Sequence, residues 1–252
     1  MTVLDNFDPS KEAFLNPGDF TKPVPDFPET CITVFSEILM EKLISEGNAL
    51  EIASLYSENN ILPIYKVEYK GKSIGIYMSR VGGPASAAGF EEVIAMGAQN
   101  LVLFGCCGIL DGNAGGKIIV PTSAIRDEGT SYHYLPPQEE ICVGKKENEV
   151  LVSCLERLSY PYIKGKVWTT DAIYRETKKA IHLRKNQGCL GVEMECASML
   201  AVANFRNVSL LSFFYGADRL DGPAWDAGDL MDRGKTKADQ YVKLALECAR
   251  LL

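Results

Sequence analysis

The sequence predicts a single α/β domain in which helices cover a layered sheet. Short apolar stretches rich in β-branched residues alternate along the chain with helical stretches, as expected when strands and helices form separate layers. Several of the apolar stretches end in glycine-rich or charged clusters, which is typical of strands that deliver loops to one edge of a sheet. The 252 residues contain no internal repeat and no clear domain boundary, so one domain is the simplest division.

Residues 1–30 are predicted to form an extended arm, because they are rich in proline and show no hydrophobic periodicity. Residues 31–252 form the predicted domain. Composition and turn signals predict strands over 31–35, 64–69, 73–78, 101–104, 117–122, 162–168 and 208–215, with one further strand ending near 191. Periodicity and capping residues predict helices from the Ser36 N-cap to a stop at Gly47, over 84–96, 147–158 and 178–186, through the apolar stretch that ends at Phe205, and over 231–252.

The charge balance argues against a nucleic-acid partner. Asp and Glu number 33 against 26 Lys and Arg, for a net charge of −7. Nucleic-acid affinity comes largely from cationic side chains that neutralise phosphates, so a polyanion is disfavoured, whereas a small anion in one local pocket is not.

The eight cysteines indicate a reducing compartment rather than a disulfide scaffold. A chain of this length does not need disulfides, and residues 1–30 do not resemble a secretory signal, so we expect a cytoplasmic protein. No Cys-x-x-Cys pair accompanies a histidine cluster, so we expect neither a zinc site nor any other metal or organic cofactor. The longest uncharged apolar stretch, near 101–110, is about half of what a membrane crossing requires, so we expect no membrane association.

Two glycine-rich clusters are predicted to be turns that follow strands. Arg80-Val81-Gly82-Gly83-Pro84 precedes a helix, and Gly105-Cys106-Cys107-Gly108 follows the strand at 101–104. Free backbone N–H groups in such turns, together with a helix dipole, can hold an anion. Neither cluster matches a P-loop or a dinucleotide-binding motif, and glycines at these positions more often serve close packing.

The sequence Glu193-Met194-Glu195 opens a helix that is almost entirely apolar and therefore buried. Burying carboxylates at this position is costly unless donors compensate. Two interpretations are equally supported by the residues. Either the helix dipole stabilises two structural carboxylates, or one carboxylate accepts the hydrogens of a vicinal diol such as that of a ribose.

Asp218 follows the apolar strand at 208–215 and should be partly desolvated. Desolvation raises the pKa of a carboxyl and makes it a candidate general acid near neutral pH. The alternative is an Asp that caps the following turn. Arg219 could pair with Asp218 and would then lower its pKa, so the orientation of Arg219 decides between the two roles.

These motifs together resemble the nucleoside phosphorylase family of uridine phosphorylases, hexameric purine nucleoside phosphorylases and methylthioadenosine nucleosidases. The resemblance covers residues 31–252, and the Val-Glu-Met-Glu stretch is its most specific part. It implies a mixed, partly barrel-like sheet flanked by helices and a homo-oligomer built of dimers. Its matching segments are 81–86, 104–108, 126–133, 191–195 and the strand that ends at Asp218.

The resemblance also implies roles for single residues. Glu195 would bind the ribose hydroxyls, with Met194 under the sugar and Glu193 in support. Asp218 would protonate the leaving base, while inorganic phosphate attacks C1′ as the co-substrate. The base site would further contain Arg219, Tyr174 and Arg175.

The chain departs from the family at the phosphate site, because the arginines that family members use have no counterpart in it. Ser36–Met40 occupies the position of the family's Gly-Asp-Pro-x-x-Arg turn, and Leu103 stands where another arginine is expected. Arg80, Arg126 and Arg175 are possible substitutes, since a planar guanidinium suits phosphate. We expect Arg80 to be the replacement, with Gly82, Gly83, Gly105 and Cys106 beside the phosphate and sugar.

The function predicted from the sequence is phosphorolysis of a uridine or purine nucleoside to a base and ribose 1-phosphate. Asp218 favours a purine, whereas Arg219 and overall similarity favour uridine, and this choice stays open. One alternative is a hydrolase in which Glu37 or Glu41 activates water. Another is a nucleoside-binding protein without catalysis.

Overall fold

A computed structural model describes residues 2–5, 7–45, 49–58, 60–232 and 238–252. The strands are β1 Thr30–Val34, β2 Ala49–Tyr56, β3 Ile61–Tyr69, β4 Lys72–Met78, β5 Asn100–Ile109, β6 Ile118–Asp127, β7 Glu140–Cys142, β8 Tyr162–Thr170, β9 Cys189–Glu193 and β10 Ser209–Arg219. The α-helices are α1 Pro17–Phe20, α2 Glu37–Ser45, α3 Gly83–Met96, α4 Lys145–Arg157, α5 Lys178–Asn186, α6 Cys196–Arg206 and α7 Ala238–Leu251. Short 3-10 turns include Thr130–His133 and Ile173–Arg175.

The strands form one mixed sheet, part of which closes on itself. The order is β10-β6-β8-β9-β5-β1-β4-β3-β2, and β10 also pairs with β5, so the strands β5, β10, β6, β8 and β9 form a closed ring. The meander β2-β3-β4 continues the sheet beyond β1 as an open wing. The predicted α/β fold with a mixed, partly barrel-like sheet is confirmed.

Helices cover both faces of this sheet. Successive residues of β5 alternate between two cores, so that Leu103 packs with α3 and α6 on one side and Phe104 packs with α4 and α7 on the other. This alternation follows from the two-residue period of a strand. The apolar stretch at 196–203 is buried throughout because α6 lies inside one of these cores.

Most predicted elements are confirmed, and the strand ends are the main error. The strands β5, β6 and β10 run several residues past their predicted ends, so Gly105–Gly108 is part of a strand rather than a turn. The strand β2, which pairs with β3, was not predicted. The predicted helix stop at Gly47 and residues 233–237 of the predicted last helix lie outside the described residues.

A buried carboxylate joins three elements on the side of the sheet covered by α4 and α7. Glu247 of α7 accepts hydrogen bonds from Tyr69 Oη at 2.8 Å and from Arg157 Nη2 at 2.8 Å, and it pairs with Lys70 and Arg250. These donors, led by Lys70, lower the pKa of Glu247 to about 2. The cluster therefore links the β3–β4 hairpin and α4 to α7.

We expect Glu247→Gln to lower the free energy of unfolding by about 1–2 kcal/mol at pH 7. A hydrogen bond to a charged group contributes roughly 1.5–3 kcal/mol, and partial exposure of the cations reduces the gain. Because the folded-state pKa is depressed, this stability is present above the ordinary carboxyl value of 4.5 and is lost as the pH falls toward 2. Urea denaturation of both proteins at several pH values measures it.

The control is Glu149→Gln, which removes an exposed pairing with Lys145 on α4 and should change the free energy of unfolding by less than about 0.5 kcal/mol. Equal stability of the wild type and Glu247→Gln at pH 7 would contradict the assigned role of the cluster.

Candidate active site

The site forms where β5 changes its partner on one edge. The first half of β5 pairs with β1, whereas Gly108 and Ile109 pair with β9. On its other edge β5 pairs with β10 along its length, with an irregularity between Gly216 and Asp218. Gly108 therefore lies opposite Val192 on one side and Asp218 on the other. Strands that separate in this way leave a crevice, which is where α/β sheets bind ligands.

Glu195 lies at the N-cap of α6, two residues after the end of β9, the strand that borders this crevice. Its carboxylate is 7% exposed, and Oε1 accepts a hydrogen bond from the backbone N–H of Gly82 at 2.7 Å. Burial raises the pKa of Glu195, and the bond from Gly82 opposes the increase. The backbone of Met194 also bonds to this carboxylate. No side chain of the described residues donates to it, so it can still accept hydroxyl groups of a ligand.

Glu193 has a different environment, because both of its carboxylate oxygens accept hydrogen bonds from other groups of the protein. Oε2 accepts the backbone N–H groups of Glu195 at 2.8 Å and Cys196 at 2.7 Å, and Oε1 accepts the hydroxyl of Thr169. Burial and the nearby charge of Glu195 raise the pKa of Glu193. Glu193 thus satisfies the first amides of α6 and orients Glu195, which is the structural interpretation of this carboxylate. Met194 between them is half-buried.

Glycine is needed at positions 82 and 83 because of the backbone conformation at the first and the close packing at the second. Gly82 has φ of +97°, a conformation that favours glycine, and in this conformation its N–H donates to Glu195. A Cβ on Gly83 would lie 2.4 Å from Ser198 Oγ of α6. The predicted turn before α3 is confirmed. The N–H of Gly82 in this turn donates to the carboxylate of Glu195.

Asp218 is the second carboxyl at the crevice. It is half-buried, and Oδ2 accepts the indole N–H of Trp225 at 2.7 Å. Burial raises the pKa of Asp218 above its usual value, and the bond from Trp225 opposes the increase. Arg219 forms a bidentate pair with Asp221 at 2.7 and 3.1 Å. Arg219 therefore does not neutralise Asp218, and Asp218 keeps the raised pKa of a potential acid.

The thiol of Cys106 is influenced by the charges of both Glu195 and Asp218. Its side chain is exposed, yet the surrounding protein raises its pKa by desolvation to about 11, as expected at the floor of a recess. The charges of Asp218 and Glu195 both add to this shift, so both carboxyls lie within electrostatic range of one thiol. The thiol stays protonated near neutral pH and is therefore not an activated nucleophile.

The basic side chains predicted for phosphate binding differ in how they are used. Arg80 is half-buried, donates from Nε to Asn60 Oδ1 at 3.0 Å, and has a buried Nη2 without a hydrogen-bond partner among the described residues. Glu92 lies within electrostatic range of Arg80. Arg126 is not a candidate, because its guanidinium is occupied by Ser131, Pro136 and Leu135.

The loop at 171–177 holds the remaining predicted base-site residues. Tyr174 is 96% exposed and Arg175 is exposed as well, so neither packs into the recess in this chain. Glu37 and Glu41, the proposed water-activating residues, are also exposed on α2. Sequence reasoning missed Trp225 and Glu176 as residues near Asp218. The chain has only two tryptophans, and the position of Trp225 in a turn-rich segment could have drawn attention to it.

A sequence model described as the phosphorylase superfamily matches residues 29–247. The chain belongs to this superfamily. The described residues contain no group of three or more His, Cys, Asp or Glu side chains that could hold a metal ion. No helix among them is both long and apolar enough to cross a bilayer.

Relatives within the superfamily differ in how much of the chain they match. The purine nucleoside phosphorylase DeoD-type 1 of Shewanella oneidensis is 27% identical over 93% of this chain and 95% of its own length. A DeoD-type purine nucleoside phosphorylase of Caldanaerobacter subterraneus subsp. tengcongensis is 29% identical over 84% of this chain and 90% of its own length. The uridine phosphorylase of Thermococcus kodakarensis is 28% identical over 49% of this chain and 47% of its own length.

This chain has the same fold as a solved structure, the AMP nucleosidase of Bacteroides thetaiotaomicron. The TM-score is 0.72, and the match covers 93% of this chain and 92% of the other at 19% identity. At this identity the likeness supports the fold alone.

Proposed function

We propose that this superfamily member is a purine nucleoside phosphorylase that converts a nucleoside and inorganic phosphate to a purine base and ribose 1-phosphate. The observation that carries the proposal is the pair of carboxyls within electrostatic range of Cys106. Glu195 is bound by the Gly82 N–H and can accept a diol, Asp218 is paired with Trp225, and burial raises the pKa of both. The two purine-specific relatives match nearly the whole chain, whereas the uridine phosphorylase matches about half, which supports a purine over uridine.

The reaction breaks the bond between C1′ and N9 and forms a bond between C1′ and a phosphate oxygen. The bonding electrons go to the purine, which takes a proton at N7 from Asp218. Glu195 accepts the 2′- and 3′-hydroxyls and thereby holds the ribose while positive charge develops on it, with Met194 beneath the sugar. Proton donation to the leaving group contributes on the order of 10²–10⁴ in rate, and positioning and electrostatic stabilisation contribute the rest.

Arg80 is the residue that we propose to hold the phosphate, beside Gly82, Gly83, Gly105 and Cys106. A half-buried guanidinium with an unpartnered Nη2 retains a donor for an anion. No metal or organic cofactor is proposed. The reaction is instead defined by its second substrate, so phosphate dependence is the direct test.

We expect base release from adenosine or inosine to require phosphate or arsenate, and Arg80→Ala to raise the KM for phosphate by about 10- to 100-fold. That loss corresponds to about one charge-assisted hydrogen bond at roughly 1.5–3 kcal/mol. Chromatographic detection of the free base, with phosphate varied, measures both effects. Lys146→Ala, which removes an exposed cation on α4, is the control and should leave the KM unchanged.

Equal rates of base release with and without phosphate would replace this proposal by the hydrolase. One observation favours that second candidate: Glu37 is exposed at the start of α2, directly after the carboxyl end of β1 that borders the crevice. Loss of the phosphate-independent rate in Glu37→Gln or Glu41→Gln would then identify the base. Binding of a nucleoside without any turnover would instead support the alternative of a nucleoside-binding protein that lacks catalysis.

We further propose a cytoplasmic homo-oligomer built of dimers. All eight cysteines are free thiols, which suits a reducing compartment. Large apolar side chains are exposed in the arm and on the open wing of the sheet, and such surfaces are typical of subunit contacts. They include Phe14, Phe20, Leu50, Tyr56 and Ile61. The mass in solution is the direct check.

A further inference from the structure

A cavity of about 420 Å³ lies next to Asp218, between the start of α5 and the loop that follows β10. Its walls include Glu176, Leu220 and Trp225. Trp225 also donates its indole N–H to Asp218 Oδ2, so the cavity and the proposed acid share one wall. Leu220 is a second link, because its Cδ1 and Asp218 Oδ1 both border the position that a Cβ on Gly108 would occupy, at 2.4 and 3.3 Å.

Glu176 is the carboxyl in this wall that no role has yet explained. It is half-buried at the end of the 3-10 turn Ile173–Arg175, and its side chain makes no hydrogen bond or ion pair with the part of the chain that the structure describes. Burial raises its pKa to about 7, and the charge of Asp218 adds to the shift. Glu176 thus lines the cavity, lies within electrostatic range of Asp218, and lacks a side-chain partner among the described residues.

The chemistry of a purine explains what such a pair can recognise. The ring atom N7 and the substituent at C6 lie on the same edge of the base, so a group beside the N7 donor meets the C6 substituent. An amino group at C6 donates hydrogen bonds, whereas an oxo group accepts them. An ionised carboxylate accepts from the first and repels the second, and leaving a buried polar group unmatched is a strong basis for discrimination.

We propose that Glu176 contacts the C6 substituent of the base and makes the enzyme selective for 6-aminopurine nucleosides over 6-oxopurine nucleosides. This inference rests on the proposed purine nucleoside phosphorylase function and assigns its substrate class. Glu176 is a specificity residue in this account, while Asp218 remains the proton donor.

The selectivity should depend on pH. Asp221 in the loop after β10 lines the same cavity as Glu176, and so do three residues of α5: Lys178, His182 and Lys185. The charge of Asp218 at the end of β10 also reaches Glu176. Above its pKa Glu176 is ionised and accepts from an amino group; below it, the protonated carboxyl can donate to an oxo group. Titration of Asp218 affects both substrates alike and cancels in their ratio.

The test compares kcat/KM for adenosine and inosine, each with saturating phosphate, between pH 6 and 8. We expect the adenosine-to-inosine ratio of the wild type to rise about tenfold over this range. In Glu176→Gln the ratio should fall at least tenfold at pH 8, chiefly through the KM for adenosine, and should no longer depend on pH. Glu149→Gln, a surface change on α4, should keep the ratio and pH profile of the wild type.

The outcomes separate the two proposals. Turnover of both nucleosides with a ratio that is independent of pH and unchanged in Glu176→Gln would overturn the role of Glu176 and leave the phosphorylase intact. Phosphate-dependent turnover of uridine alone, or no phosphorolysis at all, would overturn both. The wild-type pH profile needs no variant, so the proposal stays testable even if Glu176→Gln folds poorly.

Discussion

Asp218→Asn is expected to lower kcat for adenosine by about 10²- to 10⁴-fold while changing the KM little. An amide can keep the hydrogen bond from Trp225 but cannot give a proton to N7, so the base must leave as an anion. The raised pKa of Asp218 also sets the pH profile. Asp218 is active when protonated, so its contribution to the rate should fall as the pH rises through its pKa. Glu195 must be ionised to accept the diol, and because its pKa is also raised to about 7, its contribution should fall as the pH drops below that value.

A substrate that needs no proton provides the sharpest control. The base of 7-methylinosine already carries a positive charge on its imidazole ring, so Asp218→Asn should cleave it at nearly the wild-type rate. Asp26→Asn, at an exposed turn with positive φ that asparagine tolerates, controls for the substitution itself. An unchanged rate with adenosine in Asp218→Asn would remove Asp218 from the mechanism.

Glu195→Gln is expected to lower kcat/KM for ribonucleosides by about 10²- to 10³-fold. Each hydroxyl bond to the carboxylate contributes roughly 1.5–3 kcal/mol, and two such bonds weaken together. If the glutamine oxygen keeps the bond from Gly82, its NH₂ group faces the diol and can no longer accept both hydroxyls. Steady-state kinetics with adenosine and 2′-deoxyadenosine measures the effect as a ratio.

The wild type should prefer the ribonucleoside, and Glu195→Gln should abolish most of that preference. Glu193→Gln is the matched comparison: because Glu193 accepts two amides of α6, it should lower the melting temperature yet retain the preference for ribose. If Glu195→Gln discriminated between the two sugars as the wild type does, the diol assignment would be wrong.

Local signals in the chain were sufficient for much of the fold. The β-rich composition of the strands and the Gly82-Gly83-Pro84 start of α3 each depend on residues close in sequence, and both are confirmed. The same holds for the carboxylates at the start of α6, because their cost of burial could be recognised from the apolar residues after them. The resemblance to a known family extended this to a partly closed sheet.

Strand ends and side-chain partners required the assembled structure. Gly105–Gly108 has the composition of a turn, but it continues β5 because β10 and β9 pair with it from both sides. Likewise, no local pattern could reveal that Arg219 binds Asp221 rather than Asp218, or that Arg126 is occupied by a loop. Each of these choices depends on groups brought together from elsewhere in the fold.

The sequence by itself determined the layered α/β class and the position of most strands and helices along the chain, and it singled out Glu195 and Asp218 as candidates for chemistry. Only the tertiary structure decided that Glu195 and Asp218 both lie within electrostatic range of Cys106, that Glu193 accepts backbone N–H groups at the start of α6, and that Glu176 lies within electrostatic range of Asp218. The physical reason is that periodicity and capping are properties of neighbours along the chain. Burial, charge pairing and pKa depend instead on contacts between distant segments, which exist only once the strands have closed around β5.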